Sequence, residues 1–124
     1  MRIEGKSVFL SGPMSDDEET YHVADFALAH NKMKMLGALY VYDPAVRYLN
    51  QSRELDAVQS YEDCILKSIN ELTRYVFTND GRMLDRKYDL VVQLPGWEDS
   101  NGALIEYKVA TECDIPCIRL SDCE

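Results

Sequence analysis

Glu106 is the side chain in this sequence best placed to do chemistry. It closes the stretch Leu94–Glu106, which reads Leu-Pro-Gly-Trp-Glu-Asp-Ser-Asn-Gly-Ala-Leu-Ile-Glu. The apolar run from Asp89 to Gln93 before it reads as a buried strand, and a helical pattern begins near Ser100. A tight turn at the carboxyl end of a parallel strand is where open α/β sheets bind ligands, and Gly96 and Gly102 allow the backbone to approach one. Glu106 then falls about two turns into the helix, able to face the crevice. A carboxylate flanked by Leu104, Ile105 and Val109 is partly desolvated, which suits a nucleophile or a general base. The plain alternative is an ordinary exposed helix residue.

Other candidates cluster around the same crevice. Ser11, Gly12 and Ser15 follow the first apolar run and can line a pocket there. Ser100, six residues before Glu106, offers a hydroxyl and free backbone N–H groups to an anion, or simply caps the helix. Trp97 either packs over a flat ligand or caps the sheet. Tyr21 and His22 stand at the mouth of the first helix, and Asp43 at the end of the second strand can touch a hydroxyl or serve only as a turn residue before Pro44.

The elements that must position these groups follow from periodicity and breakers. Lys6–Leu10 is a first strand stopped by Ser11-Gly12-Pro13. The acidic run Asp16-Asp17-Glu18-Glu19 suits the start of a helix over about Tyr21–Leu36, with Val23, Phe26, Ala27, His30, Met33 and Met35 or Leu36 as its apolar stripe. Gly37 is its C-cap, and Ala38–Tyr42 is a second strand. Ala45–Ser60 is polar and irregular, a lid that brings Arg47, Tyr48 and Arg53 within reach of a ligand. A helix spans about Ser60–Tyr75, with Tyr61, Cys64, Ile65, Ser68, Ile69 and Leu72 inward. Asn79-Asp80-Gly81 predicts a hairpin between Tyr75-Val76-Phe77 and Arg82-Met83-Leu84. Asp89–Leu94, Ser100–Cys113 and Ile115–Leu120 complete the pattern as strand, helix and strand, with Asp89 a start signal. The fold expected over residues 1–124 is one α/β domain, a three-layer sandwich of flavodoxin-like or Rossmann-like topology with a four-stranded parallel sheet in order 2-1-3-4.

Composition narrows the function classes. With 46% hydrophobic and 28% charged residues, the 124-residue chain is that of a globular domain. A net charge of -9 repels phosphate backbones, so a small molecule is expected rather than nucleic acid. No apolar run reaches membrane-spanning length and Met1–Gly5 lacks a signal-peptide core, which predicts a cytoplasmic protein. Cys64, Cys113, Cys117 and Cys123 lack the paired short spacing of a zinc site, so reduced core thiols and no metal are expected.

Taken together, Val8-Phe9-Leu10-Ser11-Gly12-Pro13-Met14-Ser15, Asp43-Pro44-Ala45, Tyr61-Glu62-Asp63, Leu94-Pro95-Gly96-Trp97, Ser100, Gly102-Ala103 and Glu106 resemble the nucleoside 2-deoxyribosyltransferase-like superfamily, and within it a small bacterial and phage branch. The resemblance implies that Glu106 attacks the anomeric carbon of a 2-deoxyribonucleoside or its 5′-monophosphate, with hydrolysis or base transfer to follow and no cofactor. It implies a serine at position 100 contacting phosphate, a substrate set by Ser11, Gly12, Ser15, Tyr21, Asp43, Gly96, Trp97, Ser100 and Gly102, and a homo-oligomer. Two residues depart from the pattern: Phe9 stands where a tyrosine would hydrogen-bond the glutamate, and Ser68 near where an aspartate would protonate the leaving base. A missing general acid costs a factor of about 100 to 10,000, unless the segment Val76–Asp89, an insertion relative to the pattern, returns an acid such as Asp85. These departures favour a second reading, a noncatalytic module binding a nucleotide or ADP-ribose-type metabolite. NAD glycohydrolysis is a third.

Overall fold

A computed structural model describes residues 2–13, 19–44, 61–77 and 83–124, without the side chains of 19–23, 61–64, 76–77 and 83–85. In chain order it contains β1 (Ser7–Ser11), α1 (Glu19–Met35), β2 (Tyr40–Tyr42), α2 (Tyr61–Leu72), β3 (Tyr75–Phe77), β4 (Met83–Arg86), β5 (Leu90–Gln93), α3 (Asn101–Glu112) and β6 (Cys117–Arg119). Short 3-10 turns at Trp97–Asp99 and Leu120–Asp122 follow β5 and β6. The expected lid over 45–60, with Arg47, Tyr48 and Arg53, lies outside the described residues, as does the turn Asn79-Asp80-Gly81.

The main sheet has four parallel strands in the order β2-β1-β5-β6, matching the expected order. Alternation along β1 divides the core. Val8 and Leu10 pack with Val41, Leu90 and Val92 against Phe26, Ala29 and Met33 of α1. Phe9 points the other way, with Tyr42, Val91, Leu72 of α2 and Ala110 of α3. Layers of α1, sheet and α2 with α3 result, because each strand of a parallel sheet must bury both faces.

The inward face of α1 is narrower than its composition suggests. Phe26, Ala29 and Met33 are buried, at a spacing of three and four residues, whereas Ala27 is exposed and Met35 is 87% exposed. Beyond Met35 the amide of Ala38 bonds the carbonyl of Met33, and that of Gly37 the carbonyl of Lys34. This is the paired pattern of a Schellman stop. Asp89 sets the opposite edge of the sheet, its carboxylate accepting from the Ser7 amide at 2.7 Å.

β3 and β4 pair antiparallel, as the turn signal predicts, with an irregularity between Val76 and Phe77. A buried carboxylate ties this hairpin to the domain. Glu71 accepts from the Tyr88 hydroxyl and from Lys87 Nζ at 2.6 Å. Burial pushes Glu71 up, but the Lys87 ammonium, the Tyr88 hydroxyl and Arg74 outweigh it and hold the carboxyl below its ordinary value.

Where β1 and β5 end side by side, Gly12 is buried, and a Cβ placed on it would stand 2.8 Å from Leu94 Cβ. Leu94 cannot yield, because its amide bonds the Ser11 carbonyl at 2.8 Å. Gly12→Ala is therefore expected to destabilise the fold by roughly 1–3 kcal/mol, as an overpacked core position does. Urea unfolding measures this, and an unchanged midpoint would contradict the close approach.

Candidate active site

Ser11 is the last residue of β1 and, by alternation, shares the face of Phe9, beneath α2 and α3. Glu106 projects from α3 toward it. The Ser11 hydroxyl donates to Glu106 Oε1 at 2.7 Å, joining residues 95 positions apart. Ser68, on α2, also hydrogen-bonds the Glu106 carboxyl. Glu106 is only 8% exposed. It thus points inward between two helices and the carboxyl ends of the central strands.

Burial governs its acidity. Removing the carboxylate from water raises its pKa to about 7, while the hydrogen bonds from Ser11 and Ser68 pull in the other direction. Near neutral pH the group is therefore divided between its two forms, a state suited to proton transfer or to nucleophilic attack once ionised.

The turn after β5 brings α3 into position. Gly96 has φ 88° and ψ 3°, left-handed backbone that a side chain disfavours, and it opens the 3-10 turn. Ser100 follows in extended backbone and caps α3, its hydroxyl accepting from the Ala103 amide at 3.3 Å. Gly102 lies half-buried in the first turn of α3. Trp97 packs against Tyr107, their ring centroids 5.2 Å apart and tilted by 40°, so its indole flanks the residue next to Glu106.

Phe9 lies in an aromatic cluster, stacked on Tyr42 at 4.9 Å and meeting Tyr88 edge-on at 5.5 Å. It supplies the apolar floor two residues before Ser11, and the donor that it lacks is supplied by the Ser11 and Ser68 hydroxyls.

Asp43 stands apart from this group. It is buried, but its Oδ2 lies 3.2 Å from His30 Nδ1 of α1, on the far side of the sheet from Glu106. Val41 packs toward α1 and Tyr42 away from it, so alternation returns Asp43 to the α1 side. Ser15 lies outside the described residues, as do the side chains of Tyr21, His22 and Asp85. Cys123 is buried and Cys113 and Cys117 are half-buried free thiols, Cys117 pushed up to about 11 by burial. Among the described residues no group of three His, Cys, Asp or Glu side chains could hold a metal ion, and no helix is long and apolar enough to cross a membrane.

Gln93 is the site residue that sequence reasoning passed over. It ends β5 opposite Ser11, on the same face as Val91, and is 5% exposed. A polar residue closing the run Leu-Val-Val-Gln was the available signal. Ser68 drew notice only as a missing acid, whereas it binds Glu106.

The raised pKa has a consequence for stability. The folded protein retains the Glu106 proton where the unfolded chain, with the ordinary value of 4.5, has released it. Stability supplied by this group is thus complete below about pH 4.5, falls by roughly 3 kcal/mol as pH rises to about 7, and is level above that. In urea titrations from pH 4 to pH 8 the stability of the wild type should fall relative to that of Glu106→Gln by about that amount. Parallel curves would mean an unperturbed carboxyl.

Searches of curated proteins and of solved structures find no match to this chain. A family model described as a domain of unknown function, DUF4406, matches residues 6–119. That span holds every described strand and helix of the two α-layers and the sheet, together with Ser11, Ser68, Gln93 and Glu106, and the chain belongs to the DUF4406 family.

Proposed function

We propose that this protein cleaves the N-glycosidic bond of 2-deoxyribonucleosides or their 5′-monophosphates, with Glu106 as nucleophile. One observation carries the reading: a buried carboxylate, held by Ser11 at 2.7 Å, directed to where β1 and β5 end. The likeness of the residues around Ser11, Gly96, Trp97, Ser100 and Glu106 to the nucleoside 2-deoxyribosyltransferase-like superfamily supports it independently.

The chemistry follows from the charge that develops. As the bond between the anomeric carbon and the base nitrogen breaks, the sugar gains oxocarbenium character, which an adjacent carboxylate stabilises. The base departs with the bonding electrons and takes up a proton. Glu106 closes on the anomeric carbon as a glycosyl ester, and water or a second base then displaces the carboxylate with net retention. Ser11 and Ser68 orient the carboxyl; neither is acidic enough to protonate the base. A 5′-phosphate would find the helix N-terminus at Ser100, where a hydroxyl cap and backbone N–H groups suit an anion. A cytoplasmic homo-oligomer in which a second copy completes the pocket belongs to the same reading.

Ser68 in place of an acid favours a second reading, a noncatalytic module for a nucleotide or ADP-ribose-type metabolite. Incubation with a panel of deoxynucleosides and their monophosphates separates the two. Base release that Glu106→Ala abolishes supports catalysis, and release unaffected by that substitution ends it. Thermal stabilisation by a panel member without turnover indicates binding alone.

The ionisation of Glu106 sets the pH dependence. Attack requires the carboxylate, so kcat/KM should rise about tenfold for each pH step below about 7 and level off above it. A profile falling across that range would assign Glu106 the role of an acid.

A further inference from the structure

Among the described residues, two buried side-chain donors have no hydrogen-bond partner: Gln93 Nε2 and Trp97 Nε1. Both belong to the short stretch that runs from the end of β5 to the turn before α3, the helix that carries Glu106. Native proteins rarely leave such groups unpaired, and a catalytic role or a bound ion or water is among the reasons when they do. Gln93 is the stronger of the pair, being 5% exposed. It pairs in register with Ser11, so their backbones lie about 4.8 Å apart. Both side chains rise on the face covered by α3, where the Ser11 hydroxyl meets Glu106. An unmatched N–H donor thus rises from the sheet face that carries Ser11, the hydrogen-bond partner of the carboxylate.

We propose that Gln93 is a sugar-recognition residue, whose amide donates to a hydroxyl on C2 of the sugar and thereby extends the substrate class to ribosides. The proposal rests on the glycosidic reading given above and adds to it the identity of the group that Gln93 meets. A nucleophile displacing the base with inversion must approach the sugar from the face opposite the base. In a β-riboside the 2-hydroxyl lies on that same face, next to the anomeric carbon. A donor neighbouring the nucleophile is therefore positioned for the 2-hydroxyl oxygen, whose own proton remains free for the carboxylate. A 2-deoxy sugar offers nothing there, and the Gln93 amide then stays unpaired. A buried partner for a substrate hydroxyl favours the sugar that carries it over the analogue that lacks it.

The test uses the purified full chain and matched pairs of ribosides and 2-deoxyribosides bearing the same base, with and without a 5′-phosphate. Base release gives kcat/KM for each, for the wild type, Gln93→Leu, Gln93→Met and Glu106→Ala. The expected result is riboside cleavage by the wild type and a riboside-to-deoxyriboside ratio that falls roughly 10- to 100-fold in both Gln93 variants, the loss set by one hydrogen bond to a buried donor. A circular-dichroism melt of each variant checks the fold, and Gln93→Met, nearer in shape, serves if Gln93→Leu fails to fold. Cleavage of deoxyribosides alone, or a ratio unchanged by both variants, overturns the proposal while leaving the glycosidic reading intact. Release from neither sugar, or release that persists in Glu106→Ala, overturns the glycosidic reading and this proposal with it.

Discussion

The hydrogen bond from Ser11 to Glu106 is the contact on which the site depends, because it joins the end of the central strand to a helix 95 residues later in the chain. A carboxyl this deeply buried is costly as an anion, and burial pushes its pKa up to about 7 despite two hydroxyl partners. Nothing in the packing of α3 requires an acid there. An alanine or leucine would fill the interval between Ala103 and Ala110 on the same buried face at lower cost. A polar group held against the hydrophobic effect at the mouth of a parallel sheet is the feature on which the proposed catalytic role rests.

The rest of the fold holds that contact in place. Gly12 lets β1 and β5 end against one another, with Leu94 filling the gap, and the left-handed turn at Gly96 redirects the chain so that Ser100 can cap α3. Phe9, Tyr42 and Tyr88 form the floor below. Tyr88 is fixed in turn by Glu71, a second buried carboxylate with the opposite character: Lys87, Arg74 and Tyr88 surround it and hold its pKa below the ordinary value. Two inward acids on adjacent helices therefore meet different environments. The one saturated with donors ties the β3–β4 hairpin to the core, and the one given only two serine hydroxyls has capacity left for a ligand.

Much of this was legible in the residues. The apolar runs separated by Gly and Pro gave the strand order, because right-handed crossovers leave few ways to arrange four parallel strands. The hairpin followed from its turn residues, and Asp89 read correctly as the start of a strand. The inward direction of Glu106 followed from helical spacing. The limits were just as physical. Periodicity finds which face of α1 is buried only to within a residue, so Met35 and Leu36 stood as alternatives, of which Leu36 packs against the core, and Ala29 was overlooked. Partners distant in sequence, such as Ser11 with Glu106 or Glu71 with Lys87, leave no local signature. Gln93 was hidden by the apolar run that it terminates, although its alternation with Val91 already fixed its face. Asp43 satisfied a strand-end rule that does not say on which side of the sheet the side chain falls.

The central claim is that the Glu106 carboxylate forms a bond to the anomeric carbon, and trapping that bond tests it most directly. A nucleoside carrying fluorine at C2 of the sugar weakens oxocarbenium character and slows breakdown of a glycosyl ester. Intact-protein mass spectrometry after incubation with such a compound, followed by peptide mapping, should show one added sugar on the peptide containing Glu106. Base release accompanied by an unmodified Glu106, or by a sugar attached to another residue, would contradict the account.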